Sequence, residues 1–110
     1  MQWQHLMDAI RTAEVLTLEY LDISGNYLCD VEPDSLAGAV IAIREVDMRD
    51  TTITRAHCQS LVNHIVIMAH SPDRKLQKLF PSPIFSSVIE ESVRERIRQV
   101  ILLEEDEEDE

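Results

Sequence analysis

Two segments of the chain carry the same order of apolar and polar positions. Residues 18–28 (LEYLDISGNYL) and residues 43–53 (IREVDMRDTTI) both have apolar side chains at their first, fourth, sixth and eleventh positions. Apolar and polar residues alternate over the middle positions of each segment, which is the pattern of a short strand with one buried face. Such a recurrence predicts an architecture of repeated units, because each unit buries its apolar side against the next.

The same apolar frame recurs over a longer distance along the chain. One set returns 57 positions later: Val31, Leu36, Val40, Ile43 and Val46 are matched by Val88, Val93, Ile97, Val100 and Leu103. A second set returns 55 positions later: Trp3, Leu6, Met7 and Ile10 are matched by Cys58, Leu61, Val62 and Ile65. The full unit is therefore a pair of unlike repeats, of about 28 residues each.

Helical spacing of apolar residues predicts helices that alternate with the strands. They cover residues 2–14, a segment that begins at Pro33, residues 55–69 with Thr54 as the N-cap, and a last segment capped by Ser86 or Ser87. On the last helix, Glu90 and Arg94 are spaced to form an ion pair.

Alternating patterns predict four short strands, over residues 18–23, over residues 44–48, from Leu76 onward, and from Val100 to Leu103. Gly25 and Asn26 give a turn signal after the first strand. In the second strand, Val46 and Met48 are expected to be buried, and Glu45, Asp47 and Arg49 to be exposed. Pro81 and Pro83 come where the third strand would continue, so the third repeat is expected to be eroded.

The net charge of the chain is concentrated at its C-terminal end. The formal charge is −11, and seven of the 21 acidic residues form residues 104–110, which leaves 10 basic against 14 acidic residues elsewhere. Residues 1–103 are therefore expected to form one domain, and residues 104–110 a disordered acidic tail. Without a basic patch or a long apolar run, binding to nucleic acid or a membrane is not expected. We expect a cytoplasmic protein, with the nucleus as a second possibility.

Metal and catalytic chemistry is weakly represented in the sequence. Cys29 and Cys58 are too few for a disulfide framework and are expected to be reduced. His57 and His64 are two helical turns apart, roughly 10 Å, which is too far to share one zinc ion. We therefore expect solvent-facing histidines, with Cys58 in the core.

A calcium-loop pattern also begins in the first segment, at Asp22, Ser24 and Asn26. It fails at its twelfth position, where Pro33 stands in place of the bidentate Glu that such a loop requires. Phosphate-binding loops and nucleophile elbows are likewise missing. We expect no catalytic residue, no metal site and no cofactor, and hence no enzyme.

The two matching segments resemble the leucine-rich repeat signature, in which an Asn at the ninth position follows apolar residues at the first, fourth and sixth. Asn26 has that position in residues 18–28, and Thr51 replaces it in residues 43–53. The chain is most similar to the ribonuclease-inhibitor type of repeat. That resemblance implies an α/β fold: a short right-handed solenoid with parallel strands on its concave side and helices on its convex side. The alternative is an ordinary small α/β or α+β domain whose strands merely look alike.

Asn26 and Thr51 are expected to have a structural role in the turns after the strands. An Asn side chain can satisfy backbone groups that no ladder reaches, and Thr has fewer donors, so Thr51 should do this less completely.

The resemblance implies a protein-interaction module, which binds an unidentified protein partner through the strand face of the coil. The candidate partner-binding residues are Tyr20, Asp22, Ser24, Glu45, Asp47, Arg49 and Lys78. Tyr20 and Arg49 are the best anchors, because Tyr and Arg are enriched among binding hot spots.

Two other functions stay open at this stage. The acidic tail could make the chain a binder or chaperone of basic proteins such as histones. Alternatively, the chain could be a truncated repeat fragment without a function of its own, which self-associates through uncapped solenoid ends.

Overall fold

A computed structural model describes residues 3–12, 18–71 and 75–104 of the 110-residue chain. In chain order the elements are α1 (Trp3–Thr12), β1 (Tyr20–Asp22), α2 (Pro33–Ile41), β2 (Glu45–Asp47), α3 (Arg55–Met68), β3 (Lys78–Phe80), α4 (Pro83–Val88), α5 (Glu91–Arg98) and β4 (Leu102–Leu103). Helices and strands alternate as the sequence predicts. None of the helices in this part of the chain has the length and apolar character needed to cross a membrane.

The four strands form one parallel sheet in the order β1-β2-β3-β4. This confirms the predicted α/β class with parallel strands alternating with helices. The pairing aligns equivalent positions in three rows across the sheet. The first row is Tyr20, Glu45, Lys78 and Leu102; the second is Leu21, Val46, Leu79 and Leu103; the third is Asp22, Asp47 and Phe80.

The second row faces the core, because side chains alternate between the two faces of a sheet. Val46 and Leu79 are fully buried there, and Leu103 is nearly so. Leu21 is only half-buried. It lies on the edge strand β1, which has a neighbour on one side only. The first and third rows therefore point away from the core.

The first positions of the two matching segments differ in burial. Ile43 is fully buried, whereas Leu18 is 41% exposed, so the expected inward packing of Leu18 is wrong. Ile43 precedes a strand with neighbours on both sides, and Leu18 precedes the edge strand. The difference follows from position in the sheet, because the residue type is nearly the same.

The turns after β1 and β2 have the same conformation. Gly25 and Asp50, each at the eighth position of its segment, have φ values of 76° and 62°. Glycine adopts this left-handed region without steric cost, and Asp tolerates it better than most residues do. The recurrence seen in the sequence thus extends to the backbone.

Asn26 and Thr51 occupy equivalent places in these turns, as predicted. Asn26 Nδ2 donates to the carbonyls of Ile23 at 3.0 Å and Ser24 at 3.2 Å. Thr51 Oγ1 donates to one carbonyl, that of Met48, at 2.6 Å. The Asn26 side chain therefore bonds two carbonyls of its turn, and the Thr51 side chain bonds one.

The third repeat is less eroded than the sequence indicates. Strand β3 has three residues, as β1 and β2 do, and pairs with a strand on each side. Pro81 follows its last residue, so the missing N–H removes a ladder bond only beyond the strand. At the corresponding positions, the N–H groups of Ile23 and Met48 donate to the carbonyls of Asp47 and Phe80.

The predicted last helix is two helices. Helix α4 ends at Val88, and Ile89 is extended, with φ −88° and ψ 129°. Ser86 and Ser87 therefore lie inside α4, and the N-cap of α5 is Glu90. The predicted ion pair is shifted as well, because Arg94 pairs with Glu91 at 2.7 Å.

Helix α3 begins after the predicted N-cap, Thr54. Its first turn contains His57, which was expected to face solvent. Thr54 Oγ1 accepts from the backbone N–H of His57, and His57 Nδ1 in turn accepts from the backbone N–H of Thr54 at 3.1 Å. This is a capping box with His in the place that Glu or Gln usually has. His57 is 2% exposed, so its expected contact with solvent is wrong.

The predicted acidic tail falls almost entirely outside the described residues. Glu104 is described, and its backbone N–H donates to the carbonyl of Leu79 at 2.9 Å. The ladder between β3 and β4 therefore extends to the first residue of that segment, while residues 105–110 lie outside the described part of the chain.

Candidate functional site

The side of the sheet that faces away from the core is the candidate site. We call it the strand face and define it by the first and third rows, Tyr20, Glu45, Lys78, Leu102, Asp22, Asp47 and Phe80, together with Arg49. The two ends of its first row are open: Tyr20 is 47% exposed and Leu102 is 54% exposed. Glu45 and Lys78 lie between them and are half-buried.

An open depression of about 410 Å³ lies at the start of the four strands. It is lined by Glu19, Tyr20, Arg44, Glu45, Gln77, Lys78 and Leu102. Arg44 connects its walls: the guanidinium is 3.5 Å from the carboxylate of Glu19, and Arg44 Nε donates to Gln77 Oε1 at 3.2 Å. The depression thus has charged groups along its floor and a large apolar or aromatic side chain at each end.

The prediction that Asp47 is exposed on this face is wrong, because its carboxylate is buried. Its side chain is 4% exposed, against the predicted exposure. Arg49 covers it: the guanidinium donates to both carboxylate oxygens, at 2.7 and 3.0 Å, and the Arg49 backbone N–H donates to Oδ1 at 3.0 Å. These hydrogen bonds favour the ionised carboxylate and hold the pKa of Asp47 below its ordinary value.

The guanidinium of Arg49 also lies over an aromatic ring. Its central carbon is 4.6 Å from the centroid of Phe80, and the ammonium nitrogen of Lys78 is 5.0 Å from the same centroid. Both distances are within the range of a cation–π interaction. The part of the strand face around β2 and β3 therefore holds two cations next to one ring.

Three carboxylates of β1 and β2 surround the Tyr20 phenol. Asp22, Glu45 and Asp47 all lie near Tyr20, and partial burial together with these negative charges raises the pKa of the Tyr20 phenol above its ordinary value. Ser24 lies in the turn after β1 and bonds back to Asp22. Its hydroxyl donates to Asp22 Oδ1 at 2.6 Å, and its backbone N–H donates to the same oxygen at 3.0 Å.

The structure brings together Tyr20, Asp22, Glu45 and Lys78 from the predicted set, places Arg49 above them, and buries Asp47 beneath Arg49. Sequence reasoning missed Phe80 and Leu102. Phe80 has the position of Asp22 and Asp47 in the third segment, so a third repeat taken as regular would have identified it. Leu102 is equivalent to Tyr20 in the same way.

A second depression lies between the helices. It has a volume of about 480 Å³ and is lined by Arg55, Gln59, Val62, Asn63, Val88, Ile89, Glu90 and Val93. In the part of the chain that the structure describes, no group of three His, Cys, Asp or Glu side chains is arranged to hold a metal ion. Both cysteines are free, and burial raises the pKa of the Cys58 thiol to about 11.

Comparisons with models of known protein families, with curated proteins and with solved structures find no match to this chain.

Proposed function

We propose that this protein is an interaction module of the leucine-rich-repeat type and that it binds another protein through its strand face. The sequential order of the parallel strands supports this reading. The matching turns at Gly25 and Asp50 support it as well, since a solenoid needs each unit to turn in the same way. In this reading the sheet is the concave side of a short right-handed coil and the helices are its convex side.

The observation that carries the proposal is the exposure of large side chains at both ends of one row. Tyr20 and Leu102 are each about half exposed, and Glu45 and Lys78 lie between them. Tyr is enriched in protein interfaces and among their hot spots, and polar or charged groups are typical of the rim around such an anchor. The proposed activity is the binding of a protein through these side chains, and it involves no catalysis.

Site-specific photo-cross-linking tests this function. A photoreactive amino acid is introduced at Tyr20 in one variant and at Asn63 in a control variant. Asn63 is exposed on α3, among the helices. After irradiation in cells, the Tyr20 variant is expected to give discrete cross-linked products that the Asn63 variant lacks.

The outcome that contradicts the proposal is equal cross-linking from both positions, or products only from Asn63. In a second arm, Tyr20→Ala is combined with a photoreactive group at Asp22. Loss of the product in this arm would identify the Tyr20 side chain as an anchor. An unchanged product would remove it from the interface.

A further inference from the structure

We propose that the strand face binds a second copy of this chain across a two-fold axis parallel to the strands. This inference rests on the proposed role of the strand face and names its partner. The axis passes between β2 and β3, so that β1 of one copy lies opposite β4 of the other, and β2 lies opposite β3.

The first row of the sheet is complementary to a second copy of itself that runs in the opposite order. From one edge to the other it is apolar or aromatic, acidic, basic and apolar, in the order Tyr20, Glu45, Lys78 and Leu102. A two-fold interface joins a patch to itself, which requires this kind of self-complementarity. Across the axis, Tyr20 meets Leu102 of the second copy, and Glu45 meets Lys78 of the second copy. Each of these contacts occurs twice.

The shape of the face agrees with this pairing. The depression of about 410 Å³ has an exposed aromatic or apolar side chain at each end, Tyr20 on β1 and Leu102 on β4. When two such faces meet in this arrangement, Tyr20 and Leu102 of opposite copies come into contact. The charged residues then lie in the enclosed space between the copies, where the opposite charges are screened less than at an open surface.

The third row adds one favourable and one unfavourable contact. Arg49 is exposed above Asp47 and comes opposite Phe80 of the second copy, which extends the cation–π contact seen within one chain. At the edge, the acidic residues Asp22 and Glu104 of opposite copies approach each other. Each chain also carries a formal charge of −11. Both effects oppose dimerisation.

The small size of the face makes the expected dimer weak. Four strands about 4.8 Å apart span roughly 14 Å, and three residues of a strand are about 10 Å long. The product of these lengths, roughly 140 Å² per copy, is smaller than the surface that even small, transient interfaces bury. The dimer is therefore expected only at protein concentrations approaching about 1 mM, at about 0.15 M salt, where long-range repulsion is screened.

Charge exchange across the axis provides the test, read by sedimentation velocity and light scattering from 1 µM to 1 mM. Glu45→Lys places two lysines opposite two lysines, and Lys78→Glu places two glutamates opposite two glutamates. Each single variant is expected to weaken the dimer at least about tenfold. A mixture of the two variants is expected to form a heterodimer, and Glu45→Lys combined with Lys78→Glu in one chain is expected to dimerise as the wild type does.

Arg55→Glu is the matched control, because it changes the net charge by as much as Lys78→Glu does, while Arg55 is exposed at the start of α3, among the helices. It is expected to leave the dimer unchanged. Circular dichroism spectra of all variants verify that they remain folded.

Three outcomes would overturn the inference: a monomer at every concentration, a dimer that the charge exchanges do not affect, or species that grow beyond the dimer. The last outcome would point to association through the edge strands β1 and β4. A monomeric protein that still cross-links to another protein from Tyr20 would leave the proposed function in place and reject only the second copy as its partner.

Discussion

His57 in α3 bonds to the backbone carbonyl of Val31, 26 residues earlier, with 2.6 Å between Nε2 and the oxygen. Its other ring nitrogen, Nδ1, accepts from the backbone N–H of Thr54. A backbone N–H can only donate, so Nδ1 is unprotonated and Nε2 carries the ring proton that Val31 receives. One neutral side chain thus caps its own helix and fixes the loop that leads into α2.

Replacing His57 separates these two roles. His57→Ala leaves the carbonyl of Val31 and the backbone N–H of Thr54 without the ring nitrogens that bond them, and it is expected to lower the free energy of unfolding by about 2–4 kcal/mol. His57→Gln is expected to recover part of this loss, because Gln at this position restores the capping box but not the bond to Val31. Urea titrations followed by circular dichroism measure both variants. Equal stabilities for Ala and Gln would contradict the division of roles.

The ion pair of Asp47 and Arg49 predicts an acid-dependent contribution to stability. The pKa of Asp47 is lowered from 3.8 in the folded chain, so the folded state holds the ionised form more strongly than the unfolded state does. This contribution is fully present above that value and is lost as the pH falls through the lower, folded pKa.

Asp47→Asn is expected to reduce the free energy of unfolding by about 1–3 kcal/mol at pH 7, and the difference from wild type should shrink below pH 4. Asp30→Asn is the control, because Asp30 is exposed. Urea titrations at pH 7 and pH 3 provide the comparison. A difference that is as large at pH 3 as at pH 7 would show that Asp47 acts by packing and not by charge.

Gly25 and Asp50 have the same left-handed backbone conformation, so removing a glycine at one and introducing a glycine at the other should change the free energy of unfolding in opposite directions. Gly25→Ala is expected to lower the free energy of unfolding by about 1 kcal/mol through backbone strain. A methyl group there meets nothing within 4 Å, so no steric clash contributes. Asp50→Gly is expected to raise it by roughly 0.5 kcal/mol, because relief of strain exceeds the entropy that Gly adds to the unfolded chain. Changes of the same sign at both positions would contradict the shared turn conformation.

The two cysteines are expected to differ in reactivity. Cys58 is fully buried, and its pKa is raised to about 11, so few thiolates form near pH 8. Cys29 is only half-buried. Iodoacetamide at pH 8 should therefore add one label to the folded chain and two in urea, as intact mass will show. The Cys29→Ser variant should take no label while folded, and fast labelling of that variant would place Cys58 in an opened core.

Much of the strand and helix pattern could be read from the sequence, because it depends on interactions close along the chain. Equivalent positions of the two matching segments become cross-strand partners: Tyr20 pairs with Glu45, and Asp22 with Asp47. The cap at Thr54 and the turn at Gly25 were also predictable, since a side chain within three residues or a glycine determines each of them.

Which side chains are exposed on the strand face could be determined only from the tertiary structure. Asp47 looks exposed by alternation, yet Arg49 folds over it and Phe80 from the next strand supports the guanidinium. The third strand looked doubtful at Pro81, but its short ladder ends before the proline and is stabilised by strands on both sides. Spacing along the chain determines which side of an element a residue is on. Whether that side is covered depends also on residues of the neighbouring strands, which are 24 to 33 positions away, and only the folded arrangement brings them together.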